Sequence, residues 1–271
     1  MLLRHEQSCL LFYVIKNQLI SFKIKINKIE NTGMYIKLFF IRKVKALFIR
    51  FKLHKIFKPF DGVLLNLIYL SRLSFWVNKN KNLPFNDFYN SKVEYNDRFK
   101  LHQYVIENEI RNDKFDYLEF GVAEGVAFKW WVSKITNPDC RFYGFDVFTG
   151  LPEDFGVMKK HHYDTKGSFP EIKDNRVEFI SGLFQDSLPS FLKSYEANNR
   201  KVIHMDADLY SSTLFVLTRL YPILKKDDII IFDEFGVPTH EFKAFTEIVH
   251  AYNLKFSIIG AVNNYLQLAI K

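Results

Sequence analysis

Two pairs of acids stand at the ends of two apolar runs. In His204-Met205-Asp206-Ala207-Asp208-Leu209-Tyr210 the carboxylates are two residues apart, so an extended backbone through them points both to one side. Ile229-Ile230-Ile231-Phe232-Asp233-Glu234-Phe235 brings two more acids out of an apolar stretch. On neighbouring strands, about 4.8 Å apart, the four would converge on one crevice. Like charges gathered there need a cation or a shared proton to offset them, and oxygen ligands suit a hard divalent metal. The competing reading makes Asp208 a cap for a helix starting near Tyr210 and turns Glu234 to solvent.

Three further sites have the same form. Glu119-Phe120-Gly121-Val122-Ala123-Glu124-Gly125 is a strand end followed by a turn in which Gly121 and Gly125 let the backbone approach a ligand before a helix N-terminus. The dinucleotide pattern G-x-G-x-x-G is absent. Tyr143-Gly144-Phe145-Asp146 ends in an acid 21 residues after Gly125, the place from which a carboxylate accepts hydrogen bonds from a ribose diol; its structural alternative is a turn cap. Phe184, in Ser181-Gly182-Leu183-Phe184-Gln185-Asp186-Ser187, offers an aromatic where an adenine could lie, with Asp186 or Ser187 expected to cap the next helix.

Strands and helices must alternate to place these residues together. Strands are expected at 117–122, 142–147, 176–181, 201–206 and 228–233, and helices at 124–135, 187–197, 210–221 and 239–252, after a helical pattern from Asp97 (Phe99, Val105, Ile106, Ile110). That order predicts an α/β fold with a parallel sheet covered on both faces. Leu254–Gly260 and Tyr265–Ile270 close the chain as a hairpin. Residues 156–170 are long enough to form a lid, His161-His162 within them have no expected role, and Trp130-Trp131 are expected in the core.

Composition fits one globular domain with an appendage: 271 residues, 48% hydrophobic and 25% charged. The net charge of +8 is unevenly spread, since residues 1–60 carry 13 Lys/Arg against 2 Asp/Glu, leaving 25 against 28 in residues 61–271. A basic appendage on a near-neutral body argues against nucleic acid as the substrate. Residues 35–58 mix apolar and basic residues in an imperfect amphipathic pattern, read either as a helix packed on the body or a partner, or as an in-plane membrane-surface helix. No unbroken apolar run reaches spanning length, with Val63–Leu70 interrupted by Asn66. Arg4 and a short apolar stretch lack a small-residue cleavage site, so no signal peptide is expected. Met34 offers an alternative translation start. Cys9 and Cys140 are isolated, which fits a reducing compartment and no structural zinc. Three parts are expected: a largely helical basic extension over 1–75, a linker or irregular segment over 76–96, and the main domain over 97–271.

The series Glu119-Phe-Gly-Val-Ala-Glu-Gly, Gly144-Phe-Asp-Val-Phe-Thr-Gly-Leu-Pro-Glu153, Gly182-Leu-Phe-Gln-Asp-Ser-Leu-Pro189, Asp206-Ala-Asp-Leu-Tyr-Ser-Ser-Thr213 and Phe232-Asp-Glu-Phe235 resembles the macrocin O-methyltransferase family, over roughly residues 97–271. The resemblance implies a Rossmann-like class I methyltransferase with a mostly parallel seven-stranded sheet and an antiparallel last strand. It implies S-adenosylmethionine as cofactor, with Glu119 and Gly121 at its methionine part and Asp146 at its ribose. It also implies magnesium held by Asp206, Asp233 and Glu234, Asp208 as general base, and a sugar or glycan hydroxyl as acceptor. Glu234 stands where some members have Asp, and Ala123 where a glycine is frequent. Cytoplasmic placement is expected; peripheral attachment to the inner face of a membrane follows from only one of the two readings of residues 35–58, and whether the chain forms a homo-oligomer is left open. The competing classes are a cofactor-binding protein with vestigial acids and a nucleic-acid methyltransferase using the basic arm.

Overall fold

The computed structural model describes residues 34–156 and 158–271. The expectations placed on Cys9 and on residues 1–33 lie outside the described residues. The chain divides into two compact units, 1–63 and 64–271. In the first, a helix over 34–50 (α1) and the short helix His54–Phe57 (α2) flank a turn at Lys52, and Phe48 stacks on Phe57 with ring centroids 5.5 Å apart. The helical character expected over 35–58 is therefore present in two pieces.

A 19-residue helix, Asp61–Lys79 (α3), crosses the division. Tyr69, Leu73 and Val77, spaced four apart, are its buried stripe. Trp76 packs on Phe235, Phe242, Phe245 and Tyr265. This packing ties the later part of α3 to the second unit, so the expected boundary at 76–96 moves back to 63/64. His54–Lys79 as a whole is a 26-residue helical stretch long and apolar enough to cross a membrane. Asp61 and Asn66 interrupt its apolar run without breaking the helix, so the helix is longer than any unbroken apolar run within it.

The second unit continues with strand Phe85–Asn86 (β1), helix Arg98–Val105 (α4) extended by a π turn at Ile106–Ile110, strand Phe115–Phe120 (β2), helix Val126–Lys134 (α5), strands Arg141–Asp146 (β3) and Val177–Ser181 (β4), helix Phe184–Leu192 (α6), strand Arg200–Met205 (β5), helix Tyr210–Leu220 (α7), strand Ile229–Phe232 (β6), helix Glu241–Ala251 (α8) and strands Ile258–Val262 (β7) and Gln267–Ile270 (β8). The sheet order is β1-β7-β8-β6-β5-β2-β3-β4, antiparallel only where β8 pairs with β6 and β7. The sheet has eight strands where seven were expected. The extra one is β1, whose Phe85 and Asn86 lie parallel to Gly260 and Ala261. Within the segment 76–96, expected as a linker or irregular segment, Phe85–Asn86 joins the sheet edge and the residues around it, 81–84 and 87–94, are irregular.

Helices cover both faces, which is why β2 is buried at every residue. On one face Phe120, Phe145, Met205 and Phe232 pack under α3, α6, α7 and α8; on the other Phe115, Tyr117 and Phe142 pack under α4 and α5, with Trp131 buried among them. Trp130 is only half-buried and stacks on Phe99. Helix α6 begins earlier than expected, at Phe184, so Asp186 and Ser187 do not cap it. Leu183 holds the cap position, and Ser187 Oγ donates back to Leu183 O at 3.0 Å.

Candidate active site

Parallel register carries the strand ends to one edge. Phe120 lies beside Phe145 and Met205, and Met205 beside Phe232. One residue later the pairing continues through the backbone: Gly121 N donates to Phe145 O (2.9 Å), Asp206 N to Phe120 O (3.0 Å) and Asp233 N to Met205 O (2.9 Å). Gly121, Asp146, Asp206 and Asp233 therefore emerge side by side where the strand order reverses between β2 and its two neighbours. This is the switch point at which open α/β sheets bind ligands.

A cavity of about 720 Å³ opens there, lined among others by Glu119, Gly121, Asp146, Phe184, Asp206, Asp208 and Glu234. Gly121 has φ +97°, and a Cβ on it would stand 1.8 Å from Asp206 O, so glycine is required for the loop to cross β5. Gly125 (φ +74°) is the turn before α5; it does not line the cavity, although its neighbours Glu124 and Val126 do. Ala123, at the frequent glycine position, also takes positive φ. Asp146 ties this loop down, its Oδ2 accepting from Val122 N and Ala123 N (2.8 Å each) and its Oδ1 from Phe148 N (2.7 Å). The turn-capping reading thus holds for Asp146 while the residue still faces the cavity. From the expected lid, Met158 and Tyr163 line the cavity, whereas His161 and His162 do not.

Asp208 does not cap α7. Leu209 occupies the cap position with no side-chain hydrogen bond, and Asp208 sits at φ +56°, a strained conformation for a residue other than glycine. Burial, followed by the charges of Asp233 and Asp146, pushes its carboxyl up to about 7. Glu234 also faces the cavity, and burial with Asp233 and Asp208 raises it to about 8. Asp206 is raised by burial and by Asp233. Glu234 is held at its backbone, where its N donates to Glu241 Oε2 at 2.9 Å.

Asp233 differs from its neighbours. It is fully buried and is absent from the cavity lining. Its Oδ2 accepts from Arg98 Nη1 at 3.0 Å and from the Tyr95 hydroxyl, and its Oδ1 lies 3.6 Å from His204 Nε2. Burial alone would raise the Asp233 carboxyl, but His204, Arg98 and Tyr95 together bring it down to about 2. Arg98 Nη1 also lies 3.5 Å from Asp206 Oδ2, and its guanidinium stacks on the Tyr95 ring at 4.2 Å. His204 stands between two acids, its Nδ1 3.2 Å from Glu119 Oε2. Burial disfavours its charge, yet Asp233 and Glu119 raise it to about 10. Two buried cations, Arg98 and His204, thus bridge three carboxylates. Sequence reading gave no chemistry to Tyr95, Arg98 or His204, because their partners lie far along the chain and only sheet pairing brings them in.

Among the described residues, the group of His, Cys, Asp or Glu ligand atoms lying within 4.8 Å of one another is His102, His204 and Asp233, all buried. Trp131 Nε1 donates to His102 Nδ1 at 3.2 Å, so a neutral His102 carries its proton on Nε2 and offers no lone pair to an ion. Asp206, Asp233 and Glu234 do not gather that closely. The donor chemistry at the cavity nevertheless fits a hard cation: Asp206, Asp208 and Glu234 face it together, and each has its proton affinity raised by burial and by neighbouring acid charge. Two of the three residues expected to hold magnesium are exposed to the cavity, and the third is engaged by Arg98.

The sheet order, the glycine turn after β2 and the acid after β3 define a class I S-adenosylmethionine-dependent methyltransferase. The macrocin-O-methyltransferase (TylF) family profile matches residues 96–263, and the chain belongs to that family, making it an O-methyltransferase. It is 28% identical over 180 residues to the mycinamicin III 3''-O-methyltransferase of Micromonospora griseorubida, covering 58% of this chain and 67% of that protein. It is 32% identical over 115 residues to the 8-demethyl-8-(2,3-dimethoxy-alpha-L-rhamnosyl)-tetracenomycin-C 4'-O-methyltransferase of Streptomyces olivaceus, covering 42% of this chain and 41% of that protein. The crystal structure of the calicheamicin methyltransferase CalS11 superposes with a TM-score of 0.50 at 19% identity, over 65% of this chain and 77% of that one.

Proposed function

We propose that this enzyme methylates a hydroxyl of a sugar or glycan acceptor, with Asp208 as the general base. The observation that carries the proposal is the placement of Asp208: at the cavity, in a strained backbone conformation, free of any capping role, with a carboxyl near neutrality. The named relatives are O-methyltransferases, one of them named for a rhamnosyl-bearing substrate, which supports the same acceptor class.

The chain's residues divide the work. Gly121 and the loop held by Asp146 would leave room for the cofactor's amino-acid part and ribose, and Glu119 and Phe184 line the same cavity, Phe184 where the adenine would lie. S-adenosylmethionine supplies the electrophilic methyl group when bound. Asp208 takes the proton of the acceptor hydroxyl at a carboxylate oxygen, which leaves the alkoxide-like oxygen as the nucleophile; a carboxyl near 7 is matched to that transfer at neutral pH. Arg98 and His204 hold Asp233 and Glu119 in place, so that the cavity acids face a fixed electrostatic background. Magnesium belongs to the same proposal: Asp206 and Glu234 would hold it from the cavity side, with Asp233 joining on release from Arg98. It would lower the pKa of a bound hydroxyl. Met158 and Tyr163 line the same cavity from the 156–170 segment.

A cytoplasmic setting is part of this reading, and the buried free thiol of Cys140 suits it. The deciding experiment is labelled-methyl transfer from S-adenosylmethionine into a panel of nucleotide sugars, glycans, small phenols and RNA. Labelling of sugars is expected. Labelling of phenols or RNA alone would overturn the acceptor class, and cofactor binding without transfer to any of them would favour a cofactor-binding protein with vestigial acids.

A further inference from the structure

Outside the cavity, a long run of apolar side chains stands exposed among the described residues. Every residue from 34 to 52 is exposed, including Ile36, Phe39, Phe40, Val44 and Ile49. In α3, Val63, Leu64, Leu65, Leu67 and Ile68 are exposed as well, Val63 to 62%. Monomeric soluble proteins rarely leave large apolar patches open to water.

The charges say what covers it. Residues 34–60 contain eight Lys/Arg and no Asp or Glu, interleaved with the apolar residues at intervals of one to five positions. A protein interface core is depleted in lysine, and a nucleic acid has no use for exposed Leu, Ile and Val at this density. A lipid surface accepts both, since lysine and arginine stems lie along the acyl boundary while their heads reach anionic headgroups.

Packing decides between lying on the bilayer and crossing it. Tyr69, Leu73 and Val77 are buried against the catalytic body, and the Tyr69 hydroxyl donates to Glu247 Oε1 at 3.2 Å. Ahead of Tyr69, the first residue of the long helical stretch to be buried, lie residues 54–68. At 1.5 Å per residue they reach about 22 Å, short of the roughly 30 Å of a hydrocarbon core.

We propose that residues 34–68 seat this enzyme on an anionic lipid surface as an interfacial attachment that does not cross the bilayer. The proposal goes beyond the methyl-transfer reading and stands whether or not that reading holds. Glu247 also accepts from Tyr210 Oη at 2.6 Å, two residues after Asp208, so the docked part of α3 is joined to the base's end of the site.

The test is co-sedimentation of the full chain with vesicles of phosphatidylcholine alone and of phosphatidylcholine with an equal share of phosphatidylglycerol. Binding to the anionic vesicles is expected, weak on the neutral ones and lost as salt rises. The triple variant Lys37→Glu, Lys45→Glu, Lys52→Glu should lower the partition coefficient by more than about a hundredfold, from on the order of fivefold for each basic residue removed. Leu64→Asp with Leu67→Asp should lower it by about tenfold or more. Both variants should bind S-adenosylhomocysteine by calorimetry as the parent does, which shows that the body is folded. A parent chain left in the supernatant with anionic vesicles, or variants that sediment as it does, would overturn the proposal. Resistance of the membrane-bound chain to alkaline extraction would overturn the in-plane geometry.

Discussion

The guanidinium of Arg98 stands 3.0 Å from Asp233 Oδ2 and 3.5 Å from Asp206 Oδ2, bridging two of the acids expected to hold a metal. Both members of the closer pair are buried, with side-chain exposures of 7% and 0%. Removing one partner of such a pair leaves the other charge unpaired in a low-dielectric interior. Arg98→Met should therefore lower the unfolding free energy by about 3–5 kcal/mol, measured by urea denaturation at neutral pH, with Arg98→Lys losing less. The sign with pH follows from Asp233. Its folded value of about 2 lies below its ordinary one of 3.8, so its contribution is present above the ordinary value and is lost as pH falls towards 2. Acid should thus narrow the gap between parent and Arg98→Met, and an unchanged gap would remove Asp233 from the account.

Gly121→Ala tests the crossing of the glycine loop over β5. The added methyl would meet the Asp206 carbonyl oxygen at 1.8 Å, a backbone atom that cannot swing aside. The backbone there is also in the left-handed half of φ, which is unfavourable for alanine. We expect a loss of stability beyond the ~1 kcal/mol of the conformational cost alone, together with loss of measurable S-adenosylhomocysteine binding by calorimetry. Parent-like binding would show that the loop can move away from Asp206.

The strand ends were legible because the physics that buries them is local. Ile229–Phe232 must be buried, Asp233 cannot be buried alone, and the step from one to the other marks the sheet's carboxyl edge. The same step located Asp146, Asp206 and Asp208. Arg98 was not legible, since its meeting with Asp233, 135 residues away, depends on α4 packing beneath β7 and β8. Nor was β1, whose two residues carry too little pattern to register. Asp186 and Ser187 are good capping types that α6 does not use, because Leu183 starts the helix first. The continuity of His54–Lys79 was hidden by Asp61 and Asn66, which a helix tolerates.

Asp208→Asn should leave S-adenosylhomocysteine binding intact and lower turnover by about a hundred- to ten-thousandfold. The parent's pH profile adds a second reading. Asp208 is the base only when ionised, and its carboxyl lies at about 7, so turnover should fall tenfold per pH unit below 7 and level off above it. In the asparagine variant the residual rate should lack that limb. Wild-type turnover in the variant, or a limb that survives unchanged, would assign the base to another group, with Glu234 at about 8 the next cavity acid in line.

Chelation separates the two ways in which positive charge could reach the cavity acids. Asp206, Asp208 and Glu234 face the cavity with their protons held more tightly than usual, and Arg98 touches only the first of them. A hard cation is the remaining means of offsetting the others when all are ionised. Excess EDTA should therefore abolish turnover at pH 8, and magnesium in excess of the chelator should restore it. Magnesium binding should also displace the apparent pKa of the ascending limb to lower pH, because a cation favours the ionised carboxylates. Full turnover in EDTA, with an unmoved limb, would show that Arg98 and His204 already supply the positive charge the reaction needs, and would leave Asp206 and Glu234 with no metal to hold.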